Sequence, residues 1–531
     1  MSRCLLGAIA LLAGAESAQA QAGVGAAAAP PARPSLIVLV TVDQMRADYL
    51  DRFGPQLDGG LARLVRGGAR FTNAHQDHAI TETAPGHATL LSGRFPRSTN
   101  IWFNWAGVED PGSPLIGTAI ERGASPARFR GTTLVDWLRA GDSRSHALAV
   151  SAKDRSAILP VGRAREQVYW YVPDGRFTTS TYYAESLPSW VRAFNDRHSA
   201  QRRAGQAWQL ALPDAAYPER DSVQVEAEGQ DFTFPHQVPA DSAAAASYVR
   251  VTPWIDEIVL DFALEGLRSL PLGRGPQTDV LSVSLSGTDF IGHRYGPDSR
   301  EMHDQILRLD RALGGFVDSL YRLRDSARVA LVLTADHGVA PIPELAPSGA
   351  KPGPARVDLQ PLVERTHAAL RAAGADTGVV IVEPPIVLLD RAALKRARVN
   401  ADSMLARLAA DARQVPGVLR VDRWRDLLEA DRSTDAIARR WVHQFPADAG
   451  IELVVTLTPG SVWRLYAPVA THGSPHDYDT HVPLIFYGPA FRPGRYDEFV
   501  RTVDLAPTLA VVAGVTPVEP VDGVVLRRIL K

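Results

Sequence analysis

Two Asp/His pairs stand out in this chain: Asp336-His337 in TADHG, and Asp289 with His293 in GTDFIGH. Each follows an apolar run with the composition of a buried strand. Carboxylate oxygens and imidazole nitrogens are ligands that zinc accepts. Placed at the carboxyl ends of neighbouring parallel strands they converge on one cleft, so the chain is predicted to hold a pair of metal ions. The four-residue spacing of Asp289 and His293 puts both on one side of a helical turn. Asp336 and His337 are adjacent and converge only if the backbone turns.

A candidate nucleophile lies in AITETAPGHATLLSG. Thr83 stands just before Ala84 and Pro85, and proline is favoured in the first turn of a helix. A hydroxyl there feels the positive end of the helix and its free N–H groups, which favour both an alkoxide and an incoming phosphate. Taken alone, the residue reads more readily as a simple helix cap, the commoner job of a threonine in that position. Lys153 and Arg155 in SAKDR are two residues apart, on one side of an extended segment. In isolation they are a solvated charged loop.

The elements that must position these residues alternate. LIVLVTVDQM opens with a β-branched apolar run leading into Asp43, and HALAVSAKD, VLSVSLSGTD, VALVLTADHG and HVPLIFYG have a similar form. Helical patterns lie between several of them, such as Ile306, Leu309, Leu313, Phe316 and Leu320 on one face. The predicted fold is α/β, a mostly parallel central sheet flanked by helices, with functional residues at the carboxyl ends of its strands. Two regions break the rhythm. Residues about 156–255 are aromatic and loop-rich, and residues about 345–470 read helix, strand, helix, strand after a Pro/Gly-rich opening. Both are read as insertions capping the cleft, the second as a small α+β unit.

Composition narrows the class. The chain has 531 residues, 45% of them apolar, which suffices for a large core. A formal charge of -2 gives no basic face for nucleic acid. Arg3, an apolar stretch from Cys4 to Ala13, and Ala18-Gln19-Ala20 have the layout of a secretory signal peptide over residues 1–20. That stretch is too short for the roughly 20 residues of a membrane span. Cleavage after Ala20 leaves a periplasmic or secreted protein with no membrane attachment and no cysteine. Residues 21–34 read as a flexible tether and 35–531 as the catalytic domain. The oligomeric state stays open, with a monomer as the working expectation.

Asp43, TAPGH, GTDFIGH, TADHG and HDYDTHVP occur in the order found in the alkaline phosphatase superfamily, near its nucleotide pyrophosphatase/phosphodiesterase branch. The chain most resembles the exported threonine-nucleophile alkaline phosphatases of the phosphate-irrepressible type, over nearly the whole mature sequence, including TVDLAPTLAVVAG. The resemblance implies two zinc ions. Asp289, His293 and His481 hold the first; Asp43, Asp336, His337 and the Thr83 oxygen hold the second. His481 is preferred over His472 and His476 because it alone abuts the apolar strand. The resemblance further implies that Asn104, Lys153 and Arg155 bind the phosphoryl oxygens of a phosphate monoester, that Thr83 is phosphorylated, and that Lys153 stands where other members carry magnesium, leaving no third metal. Two cations and an amide suit a monoester dianion better than a diester. A phosphodiesterase lacking the cationic pair, a sulfatase with Cys or Ser at the nucleophile, and a binding protein that has lost catalysis are the rivals.

Overall fold

The computed structural model describes residues 33–346, 353–464 and 468–531. The signal-peptide reading (1–20), and the tether reading for all but Arg33 and Pro34, lie outside the described residues. The described residues form one unit.

Continuous apolar runs make the centre of the molecule, as the pattern predicts. β1 (Leu36–Val42) is buried along its whole length and lies between two parallel neighbours that follow it in sequence. The central sheet has eleven strands. In chain order they are β1, β2 (Ala69–His75), β3 (Glu109–Ile116), β4 (Gly123–Ala124), β5 (Ala147–Ser151), β6 (Gln167–Val172), β7 (Arg176–Ser180), β8 (Asp279–Leu285), β9 (Val329–Thr334), β10 (Leu484–Tyr487) and β11 (Gly494–Arg501). Across the sheet the order is β11-β2-β10-β9-β1-β8-β5-β6-β7-β3-β4. Strands β9, β1, β8, β5 and β6 are mutually parallel, whereas β10 is antiparallel to both its neighbours.

Side-chain alternation splits β1 between two cores. Leu36, Val38, Val40 and Val42 pack with helices α4 (Trp254–Ser269) and α6 (Arg300–Leu323) on one face. Ile37 and Leu39 pack with α1 (Thr83–Leu90), α2 (Leu134–Gly141) and α9 (Leu505–Val512) on the other. Helices α3 (Asp154–Ile158) and α5 (Gly287–Tyr295) begin just beyond β5 and β8. Shortening Leu39, which has no solvent exposure, to alanine costs roughly 2–5 kcal/mol.

The boundaries of the first insertion need correction. VYWYVPDGRFTTSTYY supplies β6 and β7, an antiparallel hairpin at the side of the central sheet. The Asp174-Gly175 turn, with Gly175 at φ 88, is the hairpin signal that a loop reading of 156–255 passes over. The irregular part begins after Ser180, carries helices over Ser189–Asn195 and Ser242–Tyr248, and packs through Trp208 and Tyr217 against Asp304 of α6. The region expected as an α+β unit holds a separate four-stranded antiparallel sheet of Val380–Glu383, Ile386–Leu389, Ile451–Leu457 and Val418–Arg423. Helices α7 (Ala401–Arg413) and α8 (Ala436–Gln444) pack with it.

Candidate active site

Asp43, Lys153, Asp289 and Asp336 all sit one to four residues past the carboxyl ends of β1, β5, β8 and β9, which are adjacent in the sheet. Parallel order therefore delivers them to one edge, where strand-end residues converge. Asp289 enters on α5 and His293 follows four residues later on the same helix, with His293 Nε2 3.3 Å from Asp289 Oδ1. Asp336 and His337 converge because the chain turns as it leaves β9, Asp336 Oδ1 accepting from the His337 backbone N–H at 3.0 Å.

The ligand-capable atoms fall into two groups, Asp43/Asp336/His337 and Asp289/His337/His472, each with its atoms within 4.8 Å of one another. His337 Nε2 lies 3.5 Å from both Asp43 Oδ1 and Asp336 Oδ2. The three imidazoles share one device. Each donates its Nδ1–H to a backbone carbonyl: His293 to Ala470 at 2.8 Å, His337 to Gly338 at 2.9 Å and His472 to Thr81 at 2.7 Å. That fixes the tautomer and leaves every Nε2 lone pair aimed inward, the arrangement that metal-binding histidines use. Burial holds the His337 imidazole below its usual range, and burial with the His337 and His293 rings beside it holds His472 well below. Neutral rings are what a cation needs.

His481 is not among them. Its Nε2 donates to the Thr72 carbonyl at 2.8 Å and its ring stacks on His75 at 4.9 Å, as part of an antiparallel bridge between those two residues. Position beside an apolar strand, which favoured His481 in the sequence, here means involvement in the sheet. His472 comes instead from the loop returning from the second insertion; its Nε2 is 3.7 Å from Asp289 Oδ1 and its ring stacks on His337 at 3.6 Å. His476 donates to the Leu457 carbonyl and stays outside the group.

Charge decides what the groups are for. Asp43, Asp289 and Asp336 are buried, and Lys153 Nζ is 2.7 Å from Asp43 Oδ2 and 2.6 Å from Asp289 Oδ2. Burial, with the Asp289 and Asp336 carboxylates next to it, pushes the Asp43 carboxyl well above its ordinary range despite Lys153. Burial also opposes ionisation of Asp289, but Lys153 and His293 outweigh it and hold that carboxyl well below. Asp43 Oδ1 is buried with no hydrogen-bond donor. Three buried carboxylates facing one ammonium are a costly arrangement, and an oxygen- and nitrogen-donor set of this kind fits two zinc ions. Gln44 braces both groups from a left-handed backbone (φ 66): its N–H donates to Asp336 Oδ1 at 3.1 Å and its Nε2–H to Asp289 Oδ1 at 3.0 Å. No motif or spacing marks Gln44 for that role.

Thr83 is the first residue of α1, after an N-cap at Glu82, and its hydroxyl does not cap the helix. Thr83 Oγ1 lies 3.4 Å from His337 Nε2 and 3.4 Å from Lys153 Nζ. The capping work falls to Asn104, whose Oδ1 accepts from the Ala84 N–H at 2.8 Å, leaving the amide Nδ2–H2 as a donor beside Thr83. Glu82 in turn accepts from the Asn104 N–H at 2.6 Å. Lys153 is extended, but Arg155 already belongs to α3, so the two do not share one face of an extended strand. The Arg155 Nε is buried with no hydrogen-bond partner, and its nearest carboxylate, Asp154, is 3.7 Å away. Its cation is left available.

A mostly parallel sheet that gathers metal-ligating strand ends around an alcohol at a helix start is the fold of the alkaline phosphatases. The chain belongs to the type I phosphodiesterase / nucleotide pyrophosphatase family, whose model matches residues 37–350. It is 29% identical to alkaline phosphatase PafA of Elizabethkingia meningoseptica, over 90% of this chain and 91% of that one. It is 30% identical to alkaline phosphatase PhoK of a Sphingomonas species, over 92% and 90%. The crystal structure of a PafA mutant carrying Thr-to-Ser, Asn-to-Ala, Lys-to-Ala and Arg-to-Ala changes superposes with a TM-score of 0.86 at 26% identity, covering 94% of this chain and 99% of that one.

Proposed function

We propose that the protein is a two-zinc phosphate monoester hydrolase that works through a phosphothreonine at Thr83. The observation that carries the reading is the convergence of Lys153 and the Thr83 hydroxyl on two carboxylate–imidazole groups. Asp289, His293 and His472 would hold one ion, and Asp43, Asp336, His337 and Thr83 the other. Two such ions supply a lowered pKa for the attacking alcohol and charge neutralisation for the leaving oxygen. Lys153, Arg155 and the Asn104 amide meet the non-bridging oxygens, where negative charge concentrates in the transition state. Thr83 Oγ forms the new P–O bond as the ester P–O bond breaks; water then cleaves the phosphothreonine and releases inorganic phosphate.

The alkaline phosphatase names of the relatives, and the residue types altered in the PafA mutant, support the monoester reading over the diesterase that the family's description also covers. Lys153 bridging Asp43 and Asp289 supports a site without a third metal, because an ammonium already stands between those carboxylates. The first twenty residues support export, and no helix among the described residues is long and apolar enough to cross a membrane.

The test is steady-state kinetics on 4-nitrophenyl phosphate and its bis ester, with chelation and zinc return as controls. The monoester is expected to be the better substrate. Lys153→Ala/Arg155→Ala should lower monoester kcat/KM by about a hundredfold or more, because each charge-assisted contact is worth roughly 1.5–3 kcal/mol. The diester, with one fewer non-bridging oxygen, should fall by less than about tenfold. Equal losses would leave the monoester reading without its physical basis.

A further inference from the structure

Arg250 plays no part in the site described above, yet it lies against it. It sits in the short turn Val249–Val251 that leads into α4, and its guanidinium lies over the Phe290 ring at 4.7 Å. Phe290 immediately follows Asp289, and Lys153 Nζ is 5.2 Å from the same ring centroid. The aromatic ring thus carries one cation of the site and one beyond it. Arg250 is half-buried, and no carboxylate among the described residues pairs with it. Burial lowers its guanidinium from the usual range, with Tyr171 and Asp289 acting against that and Arg155 with it. A cation partly stripped of water and left without a partner is poised for an anion.

The neighbouring space fits that conclusion. An open cavity of about 360 Å³, lined by Glu228, Gln230, Val251, Phe290, His293 and Arg294, reaches Arg250 through its chain neighbour Val251 and the Phe290 ring beneath it. It adjoins the Asp289/His293 side of the centre. In an in-line displacement with Thr83 attacking from the Asp43/Asp336/His337 side, the leaving group departs toward that side.

We propose that Arg250, over the Phe290 ring, forms a subsite for leaving groups that carry a second negatively charged group, above all the penultimate phosphate that departs when the terminal phosphate of a phosphoanhydride is attacked. The inference rests on the phosphatase reading and names the substrate class it would favour. Thr83 Oγ forms the new P–O bond as the bridging P–O bond breaks, and the electron pair departs with the second phosphate, whose growing charge Arg250 meets in bidentate fashion.

The test is a binding ratio measured by calorimetry on the zinc-loaded protein, with methylenediphosphonate and methylphosphonate as probes. The wild type should prefer the diphosphonate, and R250M should narrow that preference by about tenfold or more, the value of one charge-assisted contact. Zinc chelation in free solution is common to all variants and cancels. R250Q gives the same reading should the methionine variant not fold, and R250K, which keeps the charge but loses the fork, should lie between. A preference unchanged in R250M and R250Q, or an equal weakening of both probes, overturns the subsite. Turnover of phenyl phosphate is measured in parallel. A wild type inert on that ester but with a preference that R250M narrows would overturn the phosphatase reading and uphold the subsite.

Discussion

At the scale of single residues, the imidazoles separate by what their other nitrogen does. His293, His337 and His472 spend Nδ1–H on a carbonyl and keep Nε2 free, whereas His481 spends Nε2 on Thr72. This distinguishes a ligand from a structural histidine more sharply than position in the sequence does. His472→Ala should therefore take zinc content from about two ions per chain toward one, since loss even of an outer partner of a ligand costs 10–100-fold in affinity. His481→Ala should keep both ions and lose about 1–2 kcal/mol of stability with its hydrogen bond. Elemental analysis of the two dialysed variants checks this; retention of both ions by His472→Ala would return the assignment to His481. Asp43, Asp289, His293, Asp336 and His337 were legible because strand ends and helical spacing are local patterns. His472 was not, because it arrives on a loop from an insertion more than a hundred residues long, and nothing local aims it. Gln44 was hidden for a different reason: its role depends on a left-handed backbone that glutamine seldom adopts.

At the scale of elements, the second insertion does more than cover the cleft. Helix α8 docks on the loop between β2 and α1, where Gln444 Oε1 accepts from the Ile80 N–H at 2.9 Å and Gln444 Nε2 donates to the Trp102 carbonyl at 2.7 Å. Those contacts flank Thr83 and Asn104, so a peripheral helix sets the position of both. The dock is held by Asp77, buried against Arg439 at 3.0 Å, Arg440 at 3.6 Å and His443 at 3.4 Å. Burial opposes its charge, but the hydrogen bonds from His443 and Arg439 prevail and bring the Asp77 carboxyl down from 3.8 to about 2. A carboxyl depressed on folding adds stability that is complete above its unfolded pKa and lost as pH falls through the folded one. Here that stability amounts to about 2–3 kcal/mol, present above about pH 4 and gone near pH 2. Urea midpoints of wild type and Asp77→Asn should differ clearly at pH 6, by about half as much at pH 3, and draw together near pH 2. A gap of constant size would mean the aspartate acts by shape alone. The sequence pattern gave the order of helix and strand in this insertion but not its docking, because ion pairs between segments 360 residues apart leave no local trace. The β6–β7 hairpin was missed in the opposite way: its Asp174-Gly175 turn was visible, but its aromatic strands resembled a loop-rich cap.

Across the whole molecule, charge is nearly balanced on average and badly unbalanced in one place. The formal charge is only -2, yet Asp43, Asp289 and Asp336 lie together in the interior with Lys153 as their cation. Folding must therefore work against carboxylate repulsion that bound metal would relieve, and whatever binds only the folded chain stabilises it by mass action, about 4 kcal/mol at a thousandfold excess over Kd. Two ions acting on a chain of this length correspond to a rise of roughly 4–8 °C in the unfolding midpoint. Chelation should lower the midpoint by that amount and zinc return should restore it. Asp43→Asn then provides the decisive comparison. Burial and the two neighbouring carboxylates raise the Asp43 carboxyl, so in the chelated protein its ionisation costs stability increasingly as pH climbs above the ordinary carboxylate range. An amide removes that cost and a metal ligand together. At pH 8 the chelated variant should melt above the chelated wild type, and the zinc-loaded variant below the zinc-loaded wild type. If the variant melts lower in both forms, the three carboxylates are not in electrostatic conflict, and the argument that this interior is built around two cations fails with it.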